Sequence, residues 1–209
     1  MSEHLKLSIC NRALSYAEEP PISSLSDNSL RAEVCARFWE SSCVDLLQES
    51  DWGFARVIVK LTRVDVGMYK VDGYENYYEL PPNTVSVQEV FTGPANLRRS
   101  PDYNGHSELN PEILFIPSLG KLVIPSNINE ASAVTTYKQT DPAFFRNGYD
   151  TALAYYMSSE FSAELKKKAD LTARLKQEAM LRIDKARLNS KKESKPVVIK
   201  SNEILDSRG

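Results

Sequence analysis

Two histidines, His4 and His106, and three cysteines, Cys10, Cys35 and Cys43, are the residues best suited to nucleophilic or metal chemistry in this chain. A Cys–His nucleophile pair needs an imidazole within hydrogen-bond reach of a thiol. Here His4 lies near the start and His106 in a polar stretch, and nothing in the sequence brings either to a cysteine. Cys35 and Cys43 sit eight positions apart on one helical pattern with no CxxC pair, so a tetrahedral zinc site is not expected. Inert packing thiols are the better reading. The eight glycines are scattered, with neither GxGxxG nor GKS/T to cradle a phosphate and no GxSxG elbow. Asp72 with Glu75, and Glu108 with Glu112, are neighbouring carboxylates in turns, where solvated acids are usual and paired acid–base work is not. No catalytic residue, metal site or cofactor is expected, and the chain does not read as an enzyme.

Two groups could bind rather than react. Tyr74, Tyr77 and Tyr78 would either stack bases or fill a half-buried strand surface, and the second reading is favoured. Lys166-Lys167-Lys168 would grip phosphates if it faced DNA, or would be a solvated helix junction, and the sequence leaves both open. Beyond them the surface Arg174, Lys176, Arg182, Lys185 and Arg187 makes the last helix basic. Net charge is only −2, but residues 1–159 hold 13 basic and 20 acidic side chains, while 160–195 hold 11 and 6. An acidic body with a basic late helix suits an anionic partner, or simply a solvated helix face.

The elements that must position these groups follow from periodicity. At 209 residues, 42% apolar and 26% charged, the chain can bury one full core or a core with an appendage. His4 to Ala17 reads as a helix, ended by Glu18-Glu19-Pro20-Pro21. Ser26, Asp27 and Asn28 are candidate N-caps for a second helix reaching about Gln48. Trp52 and Phe54 are expected to bury against the helices. Strands are expected at Val57–Val66, Met68–Val71, Tyr77–Leu80, Val85–Phe91, Ile113–Ile116, Lys121–Ile124 and Ala133–Lys138, with Ser118-Leu119-Gly120 as a hairpin connection. Asn96 to Pro111 reads as a long exposed loop.

Helical period returns at Pro142 to Lys168, with Thr140 or Asp141 as cap and Gly148 as a local weakness that does not break the helix. A second helix runs from Lys168 to Asn189 on a stripe of Leu171, Leu175, Ala179, Ile183 and Ala186. The fold class expected is α+β: a four-helix bundle from both chain ends, a central small β subdomain and an extended C-terminal tail. The divisions are 1–56 and 140–189 for the bundle helices, 57–139 for the β-rich insertion and 190–209 for the tail. Met1 to Lys6 has no apolar stretch behind it, and no run approaches about 18 apolar residues, so neither a signal peptide nor a membrane span is expected.

The ordered series Ile9-Cys10-Asn11-Arg12-Ala13-Leu14, Pro21 to Ser29, Asp45-Leu46-Leu47, Trp52-Gly53-Phe54-Ala55, Leu80-Pro81-Pro82 and Thr140-Asp141-Pro142-Ala143-Phe144-Phe145 resembles the head-to-tail adaptors, or tail tubular protein A family, of short-tailed bacteriophages. It covers most of residues 7–188. Tyr16-Ala17-Glu18-Glu19 stands where such chains often carry an Ile-Gly pair, and the loop at 93–111 and the tail after Asn189 match no pattern of the family. The resemblance implies a virion protein of the tail neck, made in the host cytoplasm. It implies a ring, usually of twelve copies, joining portal to tail nozzle (tail tubular protein B), with double-stranded DNA passing through during ejection. Tail fibres are a further candidate partner.

The tail sets Pro196, Val197, Val198, Ile199, Ile204 and Leu205 among Lys191, Lys192, Lys195 and Lys200. Such a segment cannot form its own core. It could add to a partner's sheet edge or fill a groove between portal subunits. The alternative function is a DNA-binding regulator using the basic final helix, which would bind DNA tightly and salt-sensitively.

Overall fold

A computed structural model describes residues 2–93, 105–166 and 168–193. Among these the protein is mixed α+β, with four α-helices and two antiparallel sheets. The chain divides into two compact units, one of residues 1–54 and 139–194 and one whose described part is 55–93 and 105–138.

The helical unit holds α1 (Ser2–Tyr16), α2 (Leu30–Gln48), α3 (Tyr149–Phe161) and α4 (Ala169–Glu193). α3 is the hub: its Ala152, Leu153, Ala154, Met157 and Phe161 are buried, and α1, α2 and α4 all pack on it. The cap of α2 is Ser29, not the expected Ser26, Asp27 or Asn28; its hydroxyl accepts from the Ala32 N–H at 3.3 Å. Asp27 is spent on the preceding turn, where its carboxylate accepts from the Ser23 and Ser24 N–H groups. Asp141 does cap, but only a single 3-10 turn, Pro142–Phe144. The expected continuous helix from Pro142 is broken. Asn147 and Gly148 both take left-handed backbone, at φ 61° and 84°, and α3 starts beyond them.

A Cβ on Gly148 would meet no atom within 4 Å, so the cost of adding one is backbone strain alone. Gly148→Ala is therefore expected to lower stability by about 1–2 kcal/mol. The check is chemical unfolding, and a variant as stable as the parent would remove the left-handed turn from the account.

α3 passes through a π turn, Ser162–Lys166, into α4. α4 ends at Glu193, beyond the expected boundary at Asn189, because Ser190 is fully buried and its hydroxyl accepts from the Gly53 N–H at 2.9 Å. The rest of the tail, with Pro196, Val197, Val198, Ile199, Ile204 and Leu205, lies outside the described residues.

In the β unit, β1 (Arg56–Lys60), β7 (Ala131–Tyr137), β3 (Thr84–Thr92) and β4 (Ser107–Leu109) form one sheet in that order. β2 (Asn76–Glu79), β6 (Lys121–Ser126) and β5 (Leu114–Ile116) form the other. Both contribute to one core of Leu61, Tyr78, Val87, Val90, Ile124 and Ala133. Val87 and Val90 are three apart, a separation that strict alternation would send to opposite faces. The register shift between Val87 and Glu89 inserts the extra residue that returns Val90 to the same core. Leu119 and Gly120 close the β5–β6 hairpin, with Gly120 at φ 62°.

Three strand expectations are corrected. The strand expected to Val66 stops at Lys60, with Arg63 making only an isolated bridge to Tyr78. Met68–Val71 is no strand; Gly67–Tyr69 is a 3-10 turn with Met68 90% exposed. Val71 is instead tethered by Tyr77, whose hydroxyl accepts from its N–H at 2.6 Å and donates to its carbonyl at 3.1 Å. Finally, β4 lies within the segment expected to be all loop, paired to β3 through Glu89, Val90 and Phe91.

Candidate functional site

The basic final helix is the surface to which the sequence assigned function. Leu171, Leu175, Ala179, Ile183 and Ala186 are all buried, at spacings that keep one stripe of α4 on the helical unit. The five cations fall around the remaining circumference rather than along one line. Arg182 is drawn back onto the unit, 2.7 Å from Glu178 and with its guanidinium 5.2 Å from the Tyr155 ring centroid. The Glu178 hydrogen bond holds its pKa above the ordinary arginine value. Tyr155 stacks in turn on Tyr16, at 4.1 Å between centroids. Arg187 stands 3.4 Å from Asp184, and Arg174 4.0 Å from Glu18.

Lys185 and Lys176 are exposed and make no ion pair among the described residues. Lys176 borders a groove of ≈ 430 Å³ between α3 and α4 that also takes in Glu49, Tyr156, Glu160 and Asp184. Burial first, and Asp45 second, push the Tyr156 phenol up to about 12. The groove is thus mixed in charge: Glu160 of α3, Glu49 at the end of α2 and Asp184 of α4 line it together with Lys176 and Arg187 of α4. Lys168 lies 3.4 Å from Glu18, a structural use of the lysine run. α4 presents cations interleaved with carboxylates, plus three large apolar side chains, Met180, Leu181 and Leu188, each more than half exposed.

The other candidates are packing groups. Cys10, Cys35 and Cys43 are free and buried. Their ionisation is governed by one another, by burial and by Lys6. Among the described residues no three of His, Cys, Asp and Glu stand close enough to hold a metal ion. Tyr77 and Tyr78 are 2% exposed and point to opposite sides of their sheet, so neither offers a face for a base. Tyr78 donates to the Ile128 carbonyl at 2.7 Å. No helix among the described residues is long and apolar enough to cross a membrane.

Joints between distant segments went unanticipated. Asn11 clamps the turn after α1, accepting from the Ile22 N–H at 2.9 Å and donating to its carbonyl at 3.0 Å. Arg12 reaches Asp150 on α3 at 2.7 Å. The Ser2 hydroxyl donates to Asp141 at 2.8 Å, and this bond and the Ala143 N–H hold the Asp141 carboxyl below its usual range. Asn11, Arg12, Ile22 and Asp141 belong to the motif series quoted above, whereas Ser2 and Asp150 do not. No protein-family model matches the chain, and no curated protein matches it.

Proposed function

We propose that this protein is a structural head-to-tail adaptor of a short-tailed bacteriophage. It would form a ring, of twelve copies in the usual arrangement, between portal and tail nozzle, with genomic double-stranded DNA passing through. In this reading the four helices form a bundle that carries the ring, and the segment after Glu193 is the extended docking tail that meets the portal. The observation that carries the reading is where the motif residues work. Asn11, Arg12, Asp27, Trp52 and Asp141, all within the ordered motif series, make turn-closing, helix-joining and capping bonds of the helical unit. The resemblance therefore rests on the residues that specify the fold, not on surface composition.

The test is mass photometry of the protein alone and mixed with purified portal rings. The expected result is a portal-dependent mass step of several copies. Truncation after Glu193, which leaves the Ser190 contact in place, is expected to abolish that step. A portal peak unshifted across salt and concentration overturns the adaptor reading. The DNA-binding regulator then takes its place, with salt-sensitive DNA binding by the free chain as its own requirement.

A further inference from the structure

α4 hands the chain on close to where β1 begins. The Gly53 N–H donates to the Ser190 hydroxyl at 2.9 Å; β1 starts three residues after Gly53, and α4 ends three residues after Ser190. The chain then runs on to Gly209 and carries Pro196-Val197-Val198-Ile199-Lys200, a β-branched run with proline at its first position, where a strand tolerates it. β1 is an open edge: among the described strands it pairs only with β7. The Tyr137 N–H donates to the Ala55 carbonyl at 2.7 Å, and the Leu61 N–H to the Ala131 carbonyl at 2.9 Å. Ladder bonds alternate along an antiparallel pair, so Val57 and Val59 turn their backbone groups to β7, and Ile58 and Lys60 turn theirs away. The other edges compete poorly. β2 is covered, its Glu79 N–H bonded to the Thr62 carbonyl at 2.9 Å and its Tyr77 carbonyl to the Val64 N–H at 2.8 Å. β4 and β5 are three residues long, against five in β1.

We propose that the open edge of β1 is the docking site for residues 196–200 of the same chain, which add to it as a parallel strand. The direction follows because both segments lead away from the Gly53–Ser190 bond. Glu193 to Ile199 spans up to about 20 Å of extended chain, enough to bring Ile199 abreast of Ile58, five residues from Gly53. That register sets Val198 beside the half-buried Val57 and Lys200 beside Val59, so no lysine of the run stands directly beside Arg56 or Lys60. The Ile58 N–H then donates to the Val198 carbonyl, the Lys200 N–H to the Ile58 carbonyl, and the Lys60 N–H to the Lys200 carbonyl. So short a ladder is weak alone, but the tether supplies its partner at high effective concentration. Covering β1 also removes a template for pairing with other chains. A portal groove and β1 cannot hold residues 196–200 at once, so the run is stored until a partner takes it. That last consequence rests on the adaptor reading; the pairing with β1 does not.

The test is amide hydrogen exchange and cross-strand nuclear Overhauser effects, read residue by residue on the full-length, isotope-labelled chain. Strand-type chemical shifts over Val197 to Ile199, cross-strand effects from Val198 and Ile199 to Val57 and Ile58, and slow exchange at Ile58 and Lys60 are expected. Val198→Pro with Lys200→Pro removes the donors that face β1. It is expected to speed exchange at Ile58 and Lys60 about tenfold and to leave Val57 and Val59, which bond to β7, unchanged. Random-coil shifts over Val197 to Ile199 overturn the proposal, as does equal exchange at Ile58 and Lys60 in parent and variant. Effects that appear only between labelled and unlabelled copies in a mixture overturn it too, because they place the run on another chain. Portal binding is scored separately by mass photometry. A chain that pairs its own tail with β1 yet gives no portal step loses the adaptor reading and keeps this strand.

Discussion

Truncating Trp52 to alanine is expected to destabilise the helical unit by about 3–5 kcal/mol, the range for removing a large buried aromatic. Trp52 is completely buried, and its indole N–H donates to the Leu46 carbonyl near the end of α2 at 2.7 Å. Its ring meets the edge of Tyr149 at 5.0 Å and 85°, and Phe54 lies 6.2 Å away. Tyr149 carries the contact onward: it packs on Phe145 at 4.6 Å and donates to the Cys43 carbonyl at 2.8 Å. One ring thus ties the end of α2 to the first turn of α3. Alanine leaves a void between two helices that α3 cannot close without moving its own buried residues.

Trp52→Phe separates the two contributions. It keeps a ring against Tyr149 and loses the indole donor, so a smaller loss of about 1–2 kcal/mol is expected from the unpaired Leu46 carbonyl and imperfect fit. Urea unfolding followed by helical circular dichroism measures both variants, with Trp39 remaining as a fluorescent probe. A loss below about 1 kcal/mol for the alanine variant would mean that the cluster is not the joint described.

The contrast between α4 and α3 explains how far the sequence could be read. α4 is long, and its five buried positions repeat at helical spacing, so periodicity located both the helix and its inward stripe. Trp52-Gly53-Phe54 was also legible as a burying connection, because two aromatics flanking a glycine have few solvated alternatives. Gly148 was not. A glycine within an apolar helical pattern usually costs a little propensity, and only the neighbouring left-handed Asn147 makes it a break. β4 escaped because Ser107-Glu108-Leu109 has no apolar alternation; its strand character comes from pairing with β3. The bulge in β3 likewise defeats a strict period of two.

The α4 surface was half legible for a related reason. Composition marked Arg174, Arg182 and Arg187 as cations, but their partners depend on the folded chain. Glu18 stands 156 positions before Arg174, and Arg182 points at Tyr155 across the α3–α4 contact. Charge type is a local property, whereas charge availability is a tertiary one. Leu181 and Leu188 make the same point from the apolar side. Their spacing is visible in sequence, but which stripe of α4 turns inward is decided by α3.

Raising the pH from 9 to 12 is expected to drain stability from the helical unit, and Cys43 carries a share that can be assigned to one atom. The thiol is fully buried, and burial pushes its pKa from 9.0 up to about 12, with Glu40 adding to the rise and Lys6 opposing it. The unfolded chain therefore loses this proton near pH 9 while the folded chain holds it to about 12. Between those values the unfolded state alone gains from ionisation. Stability from this group is complete below pH 9 and falls by roughly 1.4 kcal/mol per pH unit above it, about 4 kcal/mol by pH 12.

Cys10 acts in the same direction, its thiol raised by the hydrogen bond to Cys35 and by burial, while Cys35 is lowered by that bond. Tyr149, Tyr156 and Tyr16 are raised chiefly by burial and add their losses from about pH 9 upward, as unfolded phenols begin to ionise. The difference between the parent and a variant lacking the Cys43 thiol, compared from pH 9 to 10, isolates its share. Cys43→Ala is expected to cost about 1 kcal/mol at pH 7 through the lost sulfur contacts. It should also flatten the decline across that interval by roughly one proton's worth of slope. Urea unfolding at pH 7, 8, 9 and 10 under reducing conditions reads both effects, and parallel profiles for the two proteins would show that Cys43 does not set the alkaline limit.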